Sequence, residues 1–207
     1  MEIDPEGEIR RLLDIMPASG RMGAKITSQP AQPQVIVYRM SRWGGQAQPI
    51  KINFGLWGQL PLPQRDLLLL AAVSWLKVST WWKVDLYQGA GVAGLISFLV
   101  ELAQVDVIGL VAAAGLSAIA ATQVWRTTRG LRVILDADQT AIQVAKRRGY
   151  SEPEAAQHLL KGLQAVNHLE GHPRLSFNDL IRTQNLRAIA GLTPIGVPSE
   201  FMERRGN

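Results

Sequence analysis

Near the start of the chain, Ile9, Leu12, Leu13 and Met16 recur on one helical face behind Asp4-Pro5, an N-cap residue followed by a first-turn proline. This pattern predicts a short amphipathic helix ending at Pro17. Residues 17–33, rich in Pro, Gly, Ser and Gln, read as a connector. Two short apolar runs follow, Val35-Ile36-Val37-Tyr38 and Ile50-Lys51-Ile52-Asn53-Phe54. Gly44-Gly45 in the stretch between them suits a hairpin loop, so a small β-hairpin is predicted. Pro61 or Pro63 opens the next helix. Its residues Leu67 to Leu70, Ala71, Ala72, Val73 and Leu76 have so little polar interruption that burial on nearly all sides is expected.

From Leu86 to Trp125 the chain carries two formal charges, Glu101 and Asp106, lying together between two apolar arms. At about 1.5 Å per residue each arm is close to the ~17–20 residues that cross a ~30 Å hydrocarbon layer. Lys77 and Lys83 precede the first arm, and Arg126, Arg129 and Arg132 follow the second. With an acidic turn between the arms, this is the positive-inside pattern of a hairpin whose two ends are cytoplasmic. Trp81, Trp82, Lys83, Trp125, Arg126 and Arg129 are the residues expected at the membrane interface. Ala90 with Gly94, Gly109 with Ala113, and Ala114 with Ala118 would let the arms approach closely. A transmembrane hairpin over 86–125 is the expectation; a buried helical hairpin of a soluble protein, or a surface-lying segment, fits the same residues.

After Gly130 a helix is predicted from Arg132 to Arg148, with Lys146-Arg147-Arg148 at the end where cations suit the macrodipole and Gly149 as the stop. Ser151 with Glu154, and Ser176 with Asp179, have capping-box spacing and start two further helices, to about Leu169 and Ala190. The fold class is therefore α+β, mostly helical. Residues 1–33 form an N-terminal helix and connector, 34–191 a main domain interrupted by the apolar hairpin 86–125, and 192–207 a flexible tail.

Composition narrows the function classes. Of the 207 residues 47% are hydrophobic and 19% charged, which excludes intrinsic disorder. With no cysteine, disulfides, Cys-ligated zinc, Fe-S clusters and thiol catalysis are excluded. The net charge of +5 mostly borders the apolar arms. The first thirty residues start acidic and hold no apolar run, so no secretory signal is expected and the bulk of the chain is placed on the cytoplasmic side.

Candidate chemistry is sparse. Gly89-Ala-Gly91-Val-Ala-Gly94 fits G-x-G-x-x-G, but Lys83 and Asp85 interrupt the strand a Rossmann site needs, and residues 107–121 supply no ribose-binding acid. Glycines that thin a helix for packing explain it better. His168, Glu170 and His172 could offer metal ligands, yet Gly171 and Pro173 end the helix, so two histidines on one face are not assured. No G-x-S-x-G elbow exists, and the tryptophans border apolar arms instead of interleaving with a basic stripe. No cofactor, metal or nucleic-acid partner is expected.

Two resemblances add to this reading. Glu8-Ile-Arg-Arg-Leu-Leu-Asp-Ile-Met-Pro-Ala-Ser-Gly-Arg21, Leu67 to Leu70, Arg147-Arg-Gly-Tyr150 and Asn185-Leu-Arg-Ala-Ile-Ala-Gly191 resemble a cyanobacterial family of unknown function. That resemblance implies a thylakoid or plasma membrane and brings no activity. Residues 49–165 are more remotely similar to membrane zinc metallopeptidases of the HtpX and CAAX-protease type, in which a strand and short helix lead into a helix bearing H-E-x-x-H. The resemblance implies a zincin-like helical core whose chemistry is gone. Its two His positions fall on Ala71 and Trp75, its general-base Glu on Ala72 and its ligand Glu on Ile134, while Asp138 matches a supporting acid. Alanine, tryptophan and isoleucine at such positions hold no zinc and polarise no water.

The expected function is a non-catalytic, membrane-associated scaffold, assembly or regulatory protein whose partners are membrane lipid and another membrane protein. A soluble helical binding module is the alternative. A metal-dependent hydrolase using His158, His168 or His172 is the third class.

Overall fold

The computed structural model describes residues 3–39, 47–81, 130–171 and 176–192. The chain forms two units, one of Met1–Thr80 with Arg132–Asn207 and the other Trp81–Leu131. The predicted apolar hairpin at 86–125 lies outside the described residues, as do Trp82, Lys83, Trp125, Arg126, Arg129 and the tail beyond 192.

The larger unit is mostly helical with a small sheet. Helix α1 (Pro5–Ile15) starts as its sequence predicts: the Asp4 carboxylate accepts the backbone N–H groups of Glu6 and Gly7 at 3.2 and 2.9 Å. The stretch read as a connector holds two elements, helix α2 (Ala18–Gly23) and strand β1 (Ala24–Ser28). Strands β2 (Ile36–Tyr38) and β3 (Gln48–Ile52) form the predicted antiparallel pair, with Ile36 opposite Ile52 and Tyr38 opposite Ile50. The hairpin is extended to three strands in the order β1-β3-β2, because β1 runs parallel to β3 with Ala24 opposite Gln48 and Ser28 opposite Ile52.

A parallel neighbour requires the chain to pass the end of β3 before it returns as β2, and Asn53 secures that passage. Its side-chain amide N–H groups donate to the carbonyls of Pro30 and Gln32 at 3.1 and 2.8 Å. Its Oδ1 accepts the N–H groups of Gly55 and Leu56 at 3.1 and 3.3 Å, capping the short helix α3 (Phe54–Trp57). Asn53 is buried, so truncation strands four backbone groups at once. Asn53→Ala is expected to cost about 2–3 kcal/mol, read by urea unfolding. An unchanged midpoint would mean that water takes over these contacts.

Helix α4 (Leu62–Trp81) is the centre of the unit, and every residue from Leu67 to Ser74 is buried. Gly20 of α2 sits so close to it that an added Cβ would lie 2.6 Å from Val73 Cγ1. Leu68 faces Gly162 on the next side, with an added Cβ at 3.1 Å from its Cγ. Helix α5 covers 130–146 and is followed by Gly149 at φ 96°, a left-handed stop that glycine adopts without steric cost. Capping boxes at Ser151 and Ser176 start α6 (Glu152–Leu169) and α7 (Phe177–Ile189) as predicted. The core joins Leu12 and Met16 of α1, Ile50 and Ile52 of β3, Trp57 of α3, the apolar residues of α4, and Ala141, Leu159 and Leu186 from the later helices. Among the described residues no helix is long and apolar enough to cross a membrane.

Candidate functional site

The polar groups of the core gather in two clusters. In the first, Glu8 of α1 is buried and its carboxylate takes a bidentate contact from Arg11, through Nε and Nη2, both at 2.8 Å. The indole N–H of Trp57 donates to Glu8 Oε1 at 3.1 Å, and Arg65 Nη1 lies 3.5 Å from the same oxygen. Arg11 also reaches Asp66 Oδ1 at 2.5 Å, and the Tyr150 hydroxyl donates to Asp66 Oδ2 at 3.0 Å. Residues of α1, α3, the start of α4 and Tyr150 are thus tied by one chain of charge-assisted hydrogen bonds. Burial pushes the Glu8 carboxyl up, but the donors Arg11 and Trp57 and the charges of Arg11 and Arg65 outweigh it and hold it below the usual value. Burial, with the Asp66 charge beside it, pushes the Tyr150 phenol up to about 12.

In the second cluster Asp138 of α5 is fully buried and meets Arg182 of α7 in a bidentate pair, Nε to Oδ2 and Nη2 to Oδ1, both 2.5 Å. Burial pushes the Asp138 carboxyl above its ordinary value against the opposing Arg182 charge. Burial also works against the Arg182 cation, but Asp138 more than compensates and the guanidinium holds its proton more firmly than usual. Tyr38 of β2 borders this pair: burial raises its phenol, with Arg182 opposing. Its ring packs edge-on against Trp75 of α4 at a centroid distance of 5.3 Å.

Two neighbouring clefts share Arg148. One, of about 200 Å³, is lined by Ile15, Asp66, Leu70, Arg148, Gly149 and Tyr150. The other, of about 300 Å³, is lined by Pro17, Ala18, Val144, Arg147 and Arg148.

Of the residues singled out in the sequence, Ala71 and Ala72 are buried in the apolar core of α4, and Ile134 is half-buried on α5. Trp75 and Asp138 belong to the second cluster, linked through Tyr38 and Arg182. Trp81 closes α4. His158 stacks edge-on to Tyr150 at 6.0 Å, Glu170 Oε1 accepts the N–H of Val35 at 2.8 Å, and His172 lies outside the described residues. No group of three His, Asp or Glu side chains suited to a metal is present among the described residues. The sequence reading missed Glu8, Arg11, Tyr38 and Arg182. Their other partners lie 44 to 57 residues away and leave no local signature; the i, i+3 spacing of Glu8 and Arg11, and a charge interrupting an apolar helical face at Glu8 beside Ile9, are the local hints.

A family model described as "Protein of unknown function (DUF3318)" matches residues 10–150. The thylakoid membrane protein slr1949 of Synechocystis sp. (strain ATCC 27184 / PCC 6803 / Kazusa) is 28% identical over 156 residues, which cover 73% of each chain. No solved structure matches. The metallopeptidase resemblance finds no support in these comparisons, nor does the described architecture indicate that fold. The cyanobacterial family resemblance does find support.

Proposed function

We propose, from the premise that this chain belongs to the family of proteins of unknown function DUF3318, that it is a membrane-associated, non-catalytic scaffold, assembly or regulatory protein. The observation that carries this reading is the relative named as a thylakoid membrane protein, matched along most of both chains. The charge-bordered apolar stretch at 86–125 supports it independently, since it supplies both the apolar length and the cationic flanks that a membrane hairpin needs. A non-catalytic role fits the polar clusters: the carboxylates of Glu8, Asp66 and Asp138 are each spent on an arginine of another element, Arg65, Arg11 and Arg182. Membrane lipid and a second membrane protein are the partners of this reading, and a thylakoid or plasma membrane its location.

A soluble binding module is the second reading, favoured by Phe177 and Leu180, which lie one turn apart on α7 and are 67% and 53% exposed. Fractionation of native cells separates the two. Retention in the membrane pellet through carbonate and high-salt washes is the expected result. Full recovery in the supernatant would overturn membrane association, and release by either wash would reduce it to peripheral attachment through the basic surface.

A further inference from the structure

The second cleft combines features that the membrane reading does not use. Its apolar lining is half-buried Pro17 and exposed Ala18 at the elbow between α1 and α2 and half-buried Val144 in the last turn of α5, with Arg147 and Arg148 completing it. Arg148 Nη2 is fixed on the carbonyl of Met16 at 3.3 Å, and Arg21 Nε approaches the same carbonyl at 3.4 Å. The ends of two helices meet here, and their outward carbonyls call for cations. Arg21 and Arg148 meet that need at Met16, and Lys146 is paired with Glu152 at 2.8 Å.

Arg147 remains. Among the described residues, ion pairs join Arg10, Arg11, Arg65, Lys146 and Arg182 to carboxylates, and none involves Arg147 or Arg148. Two guanidinium groups therefore border one cleft whose described lining includes no carboxylate. A planar guanidinium matches the oxygen spacing of phosphate and carboxylate groups and binds them through paired hydrogen bonds. The neighbouring cleft shares Arg148 but contains the Asp66 carboxylate, which repels an anion. The apolar part of the lining in turn favours an anion that carries a short apolar substituent over a bare hydrated ion.

We propose that the cleft between the α1–α2 elbow and the end of α5 is an oxyanion site for a phosphate ester. Arg147 and Arg148 hold the anionic oxygens, and Pro17, Ala18 and Val144 cover the apolar substituent. The inference stands apart from the membrane reading, because a lipid headgroup and a small soluble phosphate ester present the same chemistry.

Calorimetric titration of the full chain in non-ionic detergent tests it with four probes: inorganic phosphate, butyl phosphate, dihexanoyl phosphatidylglycerol and zwitterionic dihexanoyl phosphatidylcholine. Butyl phosphate is expected to bind more tightly than inorganic phosphate, and added salt is expected to weaken it. Arg147→Gln should weaken butyl phosphate about two- to fivefold, as loss of one exposed charge contact does, without moving the melting temperature. Arg147→Lys should recover part of the affinity, because it restores charge without the planar fork. Tighter binding of the phosphatidylglycerol, equally sensitive to Arg147→Gln, would assign a lipid headgroup; preference for butyl phosphate would assign a soluble ester. Equal affinity for phosphatidylcholine, no binding of any probe, or indifference to Arg147→Gln would overturn the proposal and leave these arginines as compensation for the helix ends.

Discussion

Asp138→Ala is expected to lower the unfolding free energy by about 3–5 kcal/mol at neutral pH, because it leaves the buried Arg182 cation without its bidentate partner. The loss measures the broken pair and not the worth of the intact one. Replacing both residues, as Asp138→Leu with Arg182→Met, removes both desolvation costs and should recover most of the wild-type stability. Arg182→Met alone has a further signature. In the native chain burial already raises the Asp138 carboxyl against the opposing arginine, so with the arginine gone burial acts alone and the proton is held more tightly still. A folded carboxyl with a raised pKa adds stability at low pH that is lost as pH rises above the unfolded value, about 3.9. Urea unfolding of Arg182→Met should therefore show a larger deficit at pH 7 than at pH 4. Equal deficits would mean that the carboxyl finds another donor or water.

Glu8→Gln is the second large effect, at about 2–3 kcal/mol, since an amide cannot satisfy Arg11, Trp57 and Arg65 together. Here the pH dependence has the opposite sense. Glu8 is held below its ordinary value of 4.5, so the unfolded chain binds the proton more readily than the folded one. The stability it contributes is complete above that value and is lost as pH falls through the lower folded value. Thermal melting between about pH 6 and 3 should show a shallower acid decline for Glu8→Gln than for the wild type. An identical decline in both would place the acid-sensitive groups elsewhere.

What was legible in the sequence was local or periodic. Asp4, Ser151 and Ser176 announced helix starts because capping needs only residues within three positions. The burial of Leu67 to Ser74 followed from an apolar run without a polar face. Strand β1 escaped because its alternation, Ala24 and Ile26 inward with Lys25 outward, is short and set among glycines and prolines. Its partner is also parallel and joined by no turn, so nothing local specifies the pairing. Apart from the i, i+3 pair of Glu8 and Arg11, the two charge clusters escaped for a related reason: which arginine meets which carboxylate is decided by packing of the finished core. Tryptophan at 75 drew attention through a family pattern, whereas its actual neighbour is the edge of Tyr38.

The larger unit is built from two stretches, Met1–Thr80 and Arg132–Asn207, and this bears on how the protein is made. Leu67 to Leu70 leave the ribosome long before Leu159 and Leu186, with which they share a core. Roughly a hundred residues separate α4 from the last of these, which at typical synthesis rates is about 5–20 s during which the apolar run of this helix lacks the part of its cover that the later helices supply. The nascent first half is therefore a natural client for a chaperone, and the apolar stretch at 86–125 emerges within that same window.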